Sequence, residues 1–134
     1  MTITKSAKQL VDEANEQVEQ VDPAQIIADG REDYILVDIR DVRELDREGT
    51  IPDAIHAPRG MLEFWVDPAS PYHRDVFANE DKTYLLYCAL SWRSALAAKT
   101  LHDMGMKNVK HLAGGFAAWK EAGGAIIDRQ NKKK

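Results

Sequence analysis

The stretch that decides the fold is TYLLYCALSWRSALAAKTLHDMG, residues 83–105. Its first part, Thr83–Cys88, is almost wholly apolar and β-prone, which is typical of a strand buried on both faces. Its last part carries apolar residues at helical spacing and predicts a helix from Ser94 to Met104, ended by Gly105. The stretch therefore predicts a strand, a loop and a helix, with the single cysteine of the chain at the end of the strand.

Strands and helices also alternate on both sides of this stretch. Apolar runs predict further strands at 34–39, 55–57 and 108–112. Asp22 and Pro23 are suited to the N-cap and first position of a helix. Helices or helical turns are expected at 5–20, 24–28, 41–48, 60–66 and 116–122. This β-α-β-α order predicts an α/β fold with a mostly parallel sheet and right-handed crossovers.

Cys88 is expected at the carboxyl edge of the sheet, where open parallel sheets bind their ligands. The N–H groups of the loop and the start of the next helix favour an anion there, either the Cys88 thiolate or a negative ligand. Arg93 adds a permanent positive charge, and nearby cations lower the pKa of a thiol. The alternative is an inert core thiol, because free cysteine is among the most buried residue types. The loop position favours a nucleophile.

Several segments together resemble the rhodanese-like domain family over residues 21–125. In chain order, the matching segments are Leu36–Arg40 with Glu44 (the family's L-x-D-x-R segment), Gly49–Ala54 (its G-H-I-P-G-A turn), 57–65 (similar to a subgroup of single-domain bacterial members), Tyr87–Ser94 (its active-site loop) and Leu112–Trp119 (its L-x-G-G-x-x-x-W ending). The set is far more specific than the loop alone.

The resemblance implies a five-stranded, mostly parallel sheet flanked by helices on both faces. It also implies that the Cys88 thiolate takes a sulfane sulfur from a donor such as thiosulfate and becomes a persulfide. A thiol or cyanide then removes that sulfur, and the loop N–H groups stabilise the negative charge. Neither a metal nor an organic cofactor is implied. The substrate-binding residues expected beside catalytic Cys88 are Ala89, Leu90, Ser91, Trp92, Arg93 and Arg59.

Other functions compete with this expectation. Related phosphatases and arsenate reductases use a seven-residue C-x5-R loop sized for a tetrahedral oxyanion, whereas Cys88–Arg93 spans six residues and Tyr87, not histidine, precedes it. A redox role would need a resolving thiol from another molecule. A non-catalytic or redox-sensing binding module would use the loop to dock a partner, and the retained cysteine and arginine argue against it.

Three positions depart from the family pattern. Ser91 stands where the subgroup often has glycine, Thr50 replaces the usual histidine, and Asp53 replaces the usual glycine of the early turn. Glycine eases positive φ and close backbone approach, so Ser91 is expected either to strain the loop or to bond the sulfur through its hydroxyl. Trp92 is expected either to cover the pocket or to anchor the loop.

Charged and imidazole side chains elsewhere receive mainly structural interpretations. Arg59 either holds the sulfonate of the donor or covers apolar surface with its stem. The set Asp38, Arg40, Arg43 and Glu44 is favoured as an ion-pair and capping network. His56, His73, His102 and His111 lack metal-ligand spacing with Cys88 and are expected packed or exposed, although His111 could approach the pocket. Gly114–Gly115 is expected in a tight turn, because a G-x-G-x-x-G pattern is absent.

Bulk composition limits the remaining choices. The 134 residues suit one domain, with 1–20 as an amphipathic helix, 21–127 as the main domain and 128–134 as a basic, disordered tail. The helix would pack on its own domain or form a homodimer. The net charge of −4 argues against nucleic acid as the main partner. Without a signal core or an apolar run of ~18–20 residues, a cytoplasmic location away from membranes is expected.

Overall fold

The computed structural model describes residues 2–129, which form a five-stranded sheet between two layers of helices. The strands, in chain order, are β1 (Gln20–Val21), β2 (Tyr34–Asp38), β3 (Ile55–His56), β4 (Thr83–Tyr87) and β5 (Val109–Leu112). They lie in the order β1-β5-β4-β2-β3, and all four neighbouring pairs are parallel. The predicted α/β fold with a mostly parallel sheet is therefore confirmed.

Helices connect these strands. They are α1 (Ala7–Gln17), α2 (Pro23–Asp29), α3 (Val42–Glu48), α4 (Leu62–Val66), α5 (Trp92–Asp103) and α6 (Gly115–Glu121), with 3-10 turns at Arg59–Met61 and Asp75–Ala78. Among residues 2–129, none of the helices combines the length and the apolar character that crossing a bilayer requires.

Strand β4 lies at the centre of the sheet and contributes to both layers, since successive side chains point to opposite faces. Leu86 and Cys88 belong to the apolar cluster that also contains Leu101 of α5 and residues of α4. Leu85 and Tyr87 belong to a second cluster that also contains residues of α2 and α6. The helices therefore cover both faces, and Cys88 lies on the α5 side.

The first helix and first strand differ from the sequence prediction. Helix α1 ends at Gln17 and not at residue 20, because Val18 adopts extended backbone. The Val18 N–H donates to the Ala14 carbonyl and caps the end of the helix. Gln20 and Val21 then pair with His111 and Leu112 of β5. A strand of two residues shows no recognisable alternation, so the sequence pattern did not reveal it.

Helix α1 packs against α5 of its own domain. Val11 and Ala14 are buried with Ala95, while Leu10 on the same helix is exposed. The part of the apolar stripe that Val11 and Ala14 form is therefore covered within the chain, while Leu10 stays exposed. A homodimer remains a prediction, and residues 130–134 of the predicted basic tail lie outside the described residues.

Candidate active site

Cys88 directly follows the buried strand β4, at the carboxyl edge of the sheet. The strand is held on both sides, by β2 and by β5, which fixes the position of the residue after it. Cys88 is 1% exposed and is the free cysteine of the chain. The predicted position of the sulfur at a ligand-binding edge is therefore realised.

A cavity of about 380 Å³ opens at this edge, and residues Cys88, Ala89, Leu90, Ser91, Trp92 and Arg93 line it. Leu90 and Trp92 are 67% and 52% exposed and form an apolar rim. Trp92 begins helix α5 and lines the cavity mouth, so it does not anchor the loop in the core. The structure thus gathers six of the seven predicted site residues around one opening.

The backbone of the loop presents unused donors. The N–H groups of residues 89–93 make no hydrogen bond within the described part of the chain. The next amide, that of Ser94, donates to Cys88 Sγ at 3.4 Å. These groups lie at the N-terminal end of the twelve-residue helix α5, where the helix dipole also favours negative charge. The loop therefore offers a cradle for an anion on or above the sulfur.

Helix α6 holds the carbonyl side of the same loop. The N–H of Phe116 donates to the Cys88 carbonyl at 2.8 Å, and the N–H of Ala117 donates to the Ala89 carbonyl at 3.1 Å. Gly115 has φ +63°, and a Cβ there would collide with the carbonyl oxygens of Cys88 and Leu90. The second glycine of the predicted tight turn is therefore required by the loop that it supports.

Arg93 points to a carboxylate and not into an empty pocket. Its guanidinium donates two hydrogen bonds of 2.9 Å to the two oxygens of Glu44. The Arg93 guanidinium holds the pKa of the Glu44 carboxyl below its usual range, and Glu44 raises the pKa of Arg93. Glu44 also accepts the Asp41 N–H in the capping box of α3. Glu44 thus largely neutralises the positive charge of Arg93 at the edge of the cavity.

A buried polar network lies beside the loop. Arg40 and Asp38 are fully buried and form a two-bond pair of 2.9 and 2.7 Å. Thr50 donates to Asp38 at 2.9 Å and lies 3.0 Å from the Tyr87 hydroxyl, whose pKa is raised mainly by burial. The Arg40 guanidinium stacks 4.2 Å from the centre of the Phe116 ring. These contacts give Asp38 and Arg40 the structural role that the sequence favoured for the charged set.

Arg59 lies apart from the cavity. It begins the 3-10 turn after β3 and donates to Glu63 at 2.6 Å. It is not among the six residues that line the opening beside Cys88. Its role as a donor-binding residue remains a prediction.

Ser94 and His111 both lie near the sulfur, and of these two residues the sequence analysis had considered only His111 for the pocket. Ser94 Oγ lies 3.6 Å from Cys88 Sγ and 3.1 Å from His111 Nδ1. His111 is fully buried, and burial lowers its pKa from 6.5 to about 4. A histidine in the strand that precedes Gly114–Gly115 was the available signal, because that strand neighbours β4.

A larger cavity of about 550 Å³ lies at the opposite edge of the sheet. Residues that precede β4 and β5, such as Asn79, Glu80 and Lys107, help to line it. It holds no cysteine or comparable nucleophile, so its size does not make it the better candidate. Within residues 2–129, no three His, Cys, Asp or Glu side chains are grouped closely enough to hold a metal ion.

Comparison with known proteins agrees with this geometry. The family model of the rhodanese-like domain matches residues 11–122.

The chain belongs to the rhodanese-like family.

Individual rhodanese-like and related proteins resemble it to different degrees. An uncharacterized protein from Synechocystis is 36% identical over 72% of this chain, which spans only 49% of that protein. Thiosulfate sulfurtransferase GlpE from Coxiella burnetii is 29% identical over 67% of this chain and 75% of its own length. A solved protein of unknown function from Rhodopseudomonas palustris, described as a possible tyrosine phosphatase, is 49% identical with a TM-score of 0.88, covering 95% of this chain and 98% of its own.

The departures from the rhodanese-like pattern have distinct structural outcomes. Ser91 has φ −176°, an extended value that does not require glycine, so the expected strain is absent there. Among residues 2–129, its carbonyl accepts hydrogen bonds from Ser94 Oγ and the Ala95 N–H, whereas its hydroxyl makes none. Asp53 has φ +65° where the family usually has glycine, and Thr50 joins the buried network of Asp38.

Proposed function

We propose that the protein is a sulfurtransferase that carries a sulfane sulfur on Cys88. The observation that carries this proposal is the sulfur at the base of a loop whose five N–H groups are free to bind an anion. Membership of a family that includes thiosulfate sulfurtransferases supports it. The small-molecule donor and the thiol or cyanide acceptor, like the cytoplasmic location, belong to the same proposal.

The reaction has two displacements. The Cys88 thiolate attacks the outer sulfur of thiosulfate, the S–S bond of the donor breaks, and sulfite leaves with the bonding electron pair. The terminal sulfur of the persulfide then carries the negative charge, which the N–H groups of residues 89–93 stabilise. A thiol or cyanide attacks that terminal sulfur and releases the Cys88 thiolate. The protein residues thus supply the nucleophile, the anion cradle and the shielding from water.

Phosphate-ester hydrolysis is the competing activity, because a close structural relative is described as a possible tyrosine phosphatase. Such an enzyme also uses a cysteine thiolate and an arginine around an anion. Here the six-residue loop is one residue shorter than the seven-residue loop of that chemistry, and Arg93 is held by Glu44. Both features favour a single sulfur over a tetrahedral phosphate.

Intact mass spectrometry tests the proposal directly. After incubation with thiosulfate, the protein should gain the mass of one sulfur atom and lose it when cyanide is added. The Cys88→Ser variant should gain nothing, since its hydroxyl is a far weaker nucleophile at neutral pH. A folded wild-type protein that takes no sulfur from thiosulfate or from a persulfide donor would contradict the proposal and favour a binding module. Hydrolysis of p-nitrophenyl phosphate would instead favour the phosphatase.

A further inference from the structure

A continuous chain of hydrogen bonds links the buried sulfur of Cys88 to helix α1. Ser94 Oγ lies 3.6 Å from Cys88 Sγ and 3.1 Å from His111 Nδ1, and His111 Nε2 lies 2.7 Å from Asn15 Oδ1. Cys88, Ser94 and His111 are each no more than 1% exposed. Bulk water therefore does not compete for the bonds among these three residues, and Asn15 at the far end is half-buried.

Asn15, at the end of this series of hydrogen bonds, determines which atoms donate and which accept. Asn15 presents a carbonyl oxygen, which only accepts, so His111 Nε2 carries the hydrogen. Burial lowers the pKa of His111 to about 4, and the ring is therefore neutral at neutral pH. A neutral ring with its hydrogen on Nε2 has a lone pair on Nδ1. The hydroxyl of Ser94 is the group in reach that can donate to it.

The Ser91 carbonyl competes for the same hydroxyl hydrogen, since it lies 3.1 Å from Ser94 Oγ. That carbonyl already accepts the Ala95 N–H at 3.0 Å. The His111 Nδ1 atom has no other donor recorded among residues 2–129. Leaving the buried His111 Nδ1 atom without a donor would cost more free energy than a second hydrogen bond to the Ser91 carbonyl would gain. The Ser94 hydroxyl therefore donates to His111, and its oxygen lone pairs face Cys88.

We propose that Asn15, His111 and Ser94 form a relay whose direction stabilises the protonated thiol of Cys88, so that helix α1 influences how readily this sulfur ionises. A thiol can donate its hydrogen to the Ser94 oxygen, whereas a thiolate meets the lone pairs of that oxygen. The thiolate gains the Ser94 hydroxyl only when that hydroxyl turns away from His111. Asn15 and His111 are positioning residues, because neither touches the sulfur.

Other groups around Cys88 Sγ either favour the thiolate or already have an ion-pair partner. The loop N–H groups and Arg93 favour the thiolate, and the charge of Arg93 is matched by Glu44. Ionisable groups on the elements around Cys88 and His111 include Arg93 of α5, Glu44 of α3, Asp38 and Arg40 at the end of β2, Tyr87 of β4, and Lys110 of β5, which pairs with Glu19. On α1 and α5, Lys8 pairs with Asp12, Glu13 with Lys5, and Lys99 with Asp103. The relay thus adds a hydrogen-bonded contribution that favours the thiol to the effect of burial, which acts in the same direction.

Substitution of Asn15 separates the relay from the rest of the site. In N15L the His111 ring is free to place its hydrogen on Nδ1, which then donates to Ser94 and releases the hydroxyl toward the sulfur. Iodoacetamide should therefore alkylate Cys88 roughly tenfold faster in N15L than in the wild type at mildly acidic pH. The pH dependence of Cys88 alkylation by iodoacetamide, in the full chain, measures this difference. Q17L, an exposed neutral position on the same helix, is the matched control and should behave as wild type.

The outcomes separate the relay from the sulfur-transfer function on which it rests. Alkylation reports the reactivity of Cys88 even in a protein that takes up no sulfur. An unchanged alkylation rate in N15L would overturn the relay, and a slower rate would overturn it by identifying His111 as a base that accepts the thiol proton. Should N15L fail to fold, ¹⁵N NMR of wild-type His111 decides the question. A neutral ring with hydrogen on Nε2 is expected, and hydrogen on Nδ1 at neutral pH would refute the proposed direction.

Discussion

Arg93 reaches the edge of the Cys88 loop with its charge already matched by a carboxylate. The two bonds to Glu44 have the fork geometry that makes arginine–carboxylate pairs directional. The pKa of Glu44 is held below its usual range by this arginine, so the pair persists at neutral pH. A donor that carries a sulfonate must therefore compete with Glu44, which favours donors that depend less on a free cation.

Glu44→Gln should improve the use of thiosulfate. The amide does not neutralise Arg93, so the KM for thiosulfate should fall about three- to tenfold in steady-state assays. A glutamine can still accept the Asp41 N–H, and helix α3 therefore remains capped.

Glu63→Gln is the matched control for that change. It frees Arg59 in the same way, but Arg59 does not line the cavity, so the KM should stay at the wild-type value. A fall in KM with E63Q and none with E44Q would assign donor binding to Arg59 instead.

His111 should make folding sensitive to mild acid. Because the pKa falls from 6.5 to about 4 on folding, the unfolded chain binds a proton in this window that the folded chain does not. The free energy of unfolding should therefore be fully retained above pH 6.5 and fall as the pH drops toward 4, by up to about 3 kcal/mol. Urea unfolding at several pH values measures this loss. His111→Gln should flatten this part of the profile, and an equal slope in both proteins would contradict the assignment.

At the scale of elements, the site depends on the contact between the Cys88 loop and the start of helix α6. The N–H groups of Phe116 and Ala117 bind the loop carbonyls, while the N–H groups of residues 89–93 make no hydrogen bond among residues 2–129. Gly115 allows this approach, since its missing side chain makes room for two carbonyl oxygens. Helix α6 therefore shapes the anion cradle without contributing a side chain to it.

Gly115→Ala should damage activity more than folding. The added Cβ would displace the loop, and kcat/KM for sulfur transfer should fall about ten- to a hundredfold. The positive φ should cost roughly 1 kcal/mol of stability in addition. Gly123→Ala is the matched control, because Gly123 also has a positive φ but meets no atom within 4 Å. Equal activity losses in both variants, measured beside thermal unfolding, would show that backbone strain alone is responsible.

At the scale of the whole molecule, helix α1 behaves as a part of the domain. Val11 and Ala14 are buried against Ala95, and Asn15 contacts His111 in the sheet. A chain that begins at Val18 should therefore unfold at a lower temperature, because it exposes the α5 surface that α1 covers. Light scattering should give the same oligomeric state as the full chain. A dimer that becomes monomeric on this truncation would contradict the internal role of α1.

The sequence predicted the strands and helices whose apolar residues follow a regular local pattern. The continuous apolar runs of β2 and β4 and the helical spacing of α5 each leave a periodic signal, and the loop motif placed Cys88 and Arg93 at one edge. The two-residue strand β1 is too short for such a signal.

Partners that are distant along the chain could not be found in this way. Arg93 and Glu44 are separated by 49 residues, and His111 and Asn15 by 96. Only the folded sheet brings them together, so neither spacing nor composition pointed to the pairing of Arg93 or to the Asn15 contact.

The pairing of β1 with β5 has a consequence for the order of events during synthesis. Val21 emerges early, but its partner Leu112 is added about ninety residues later, which at roughly 5–20 residues per second takes several seconds. Until then the first strand and the helix before it have no sheet edge to join. Cys88 is therefore synthesised before the sheet that buries its thiol is complete.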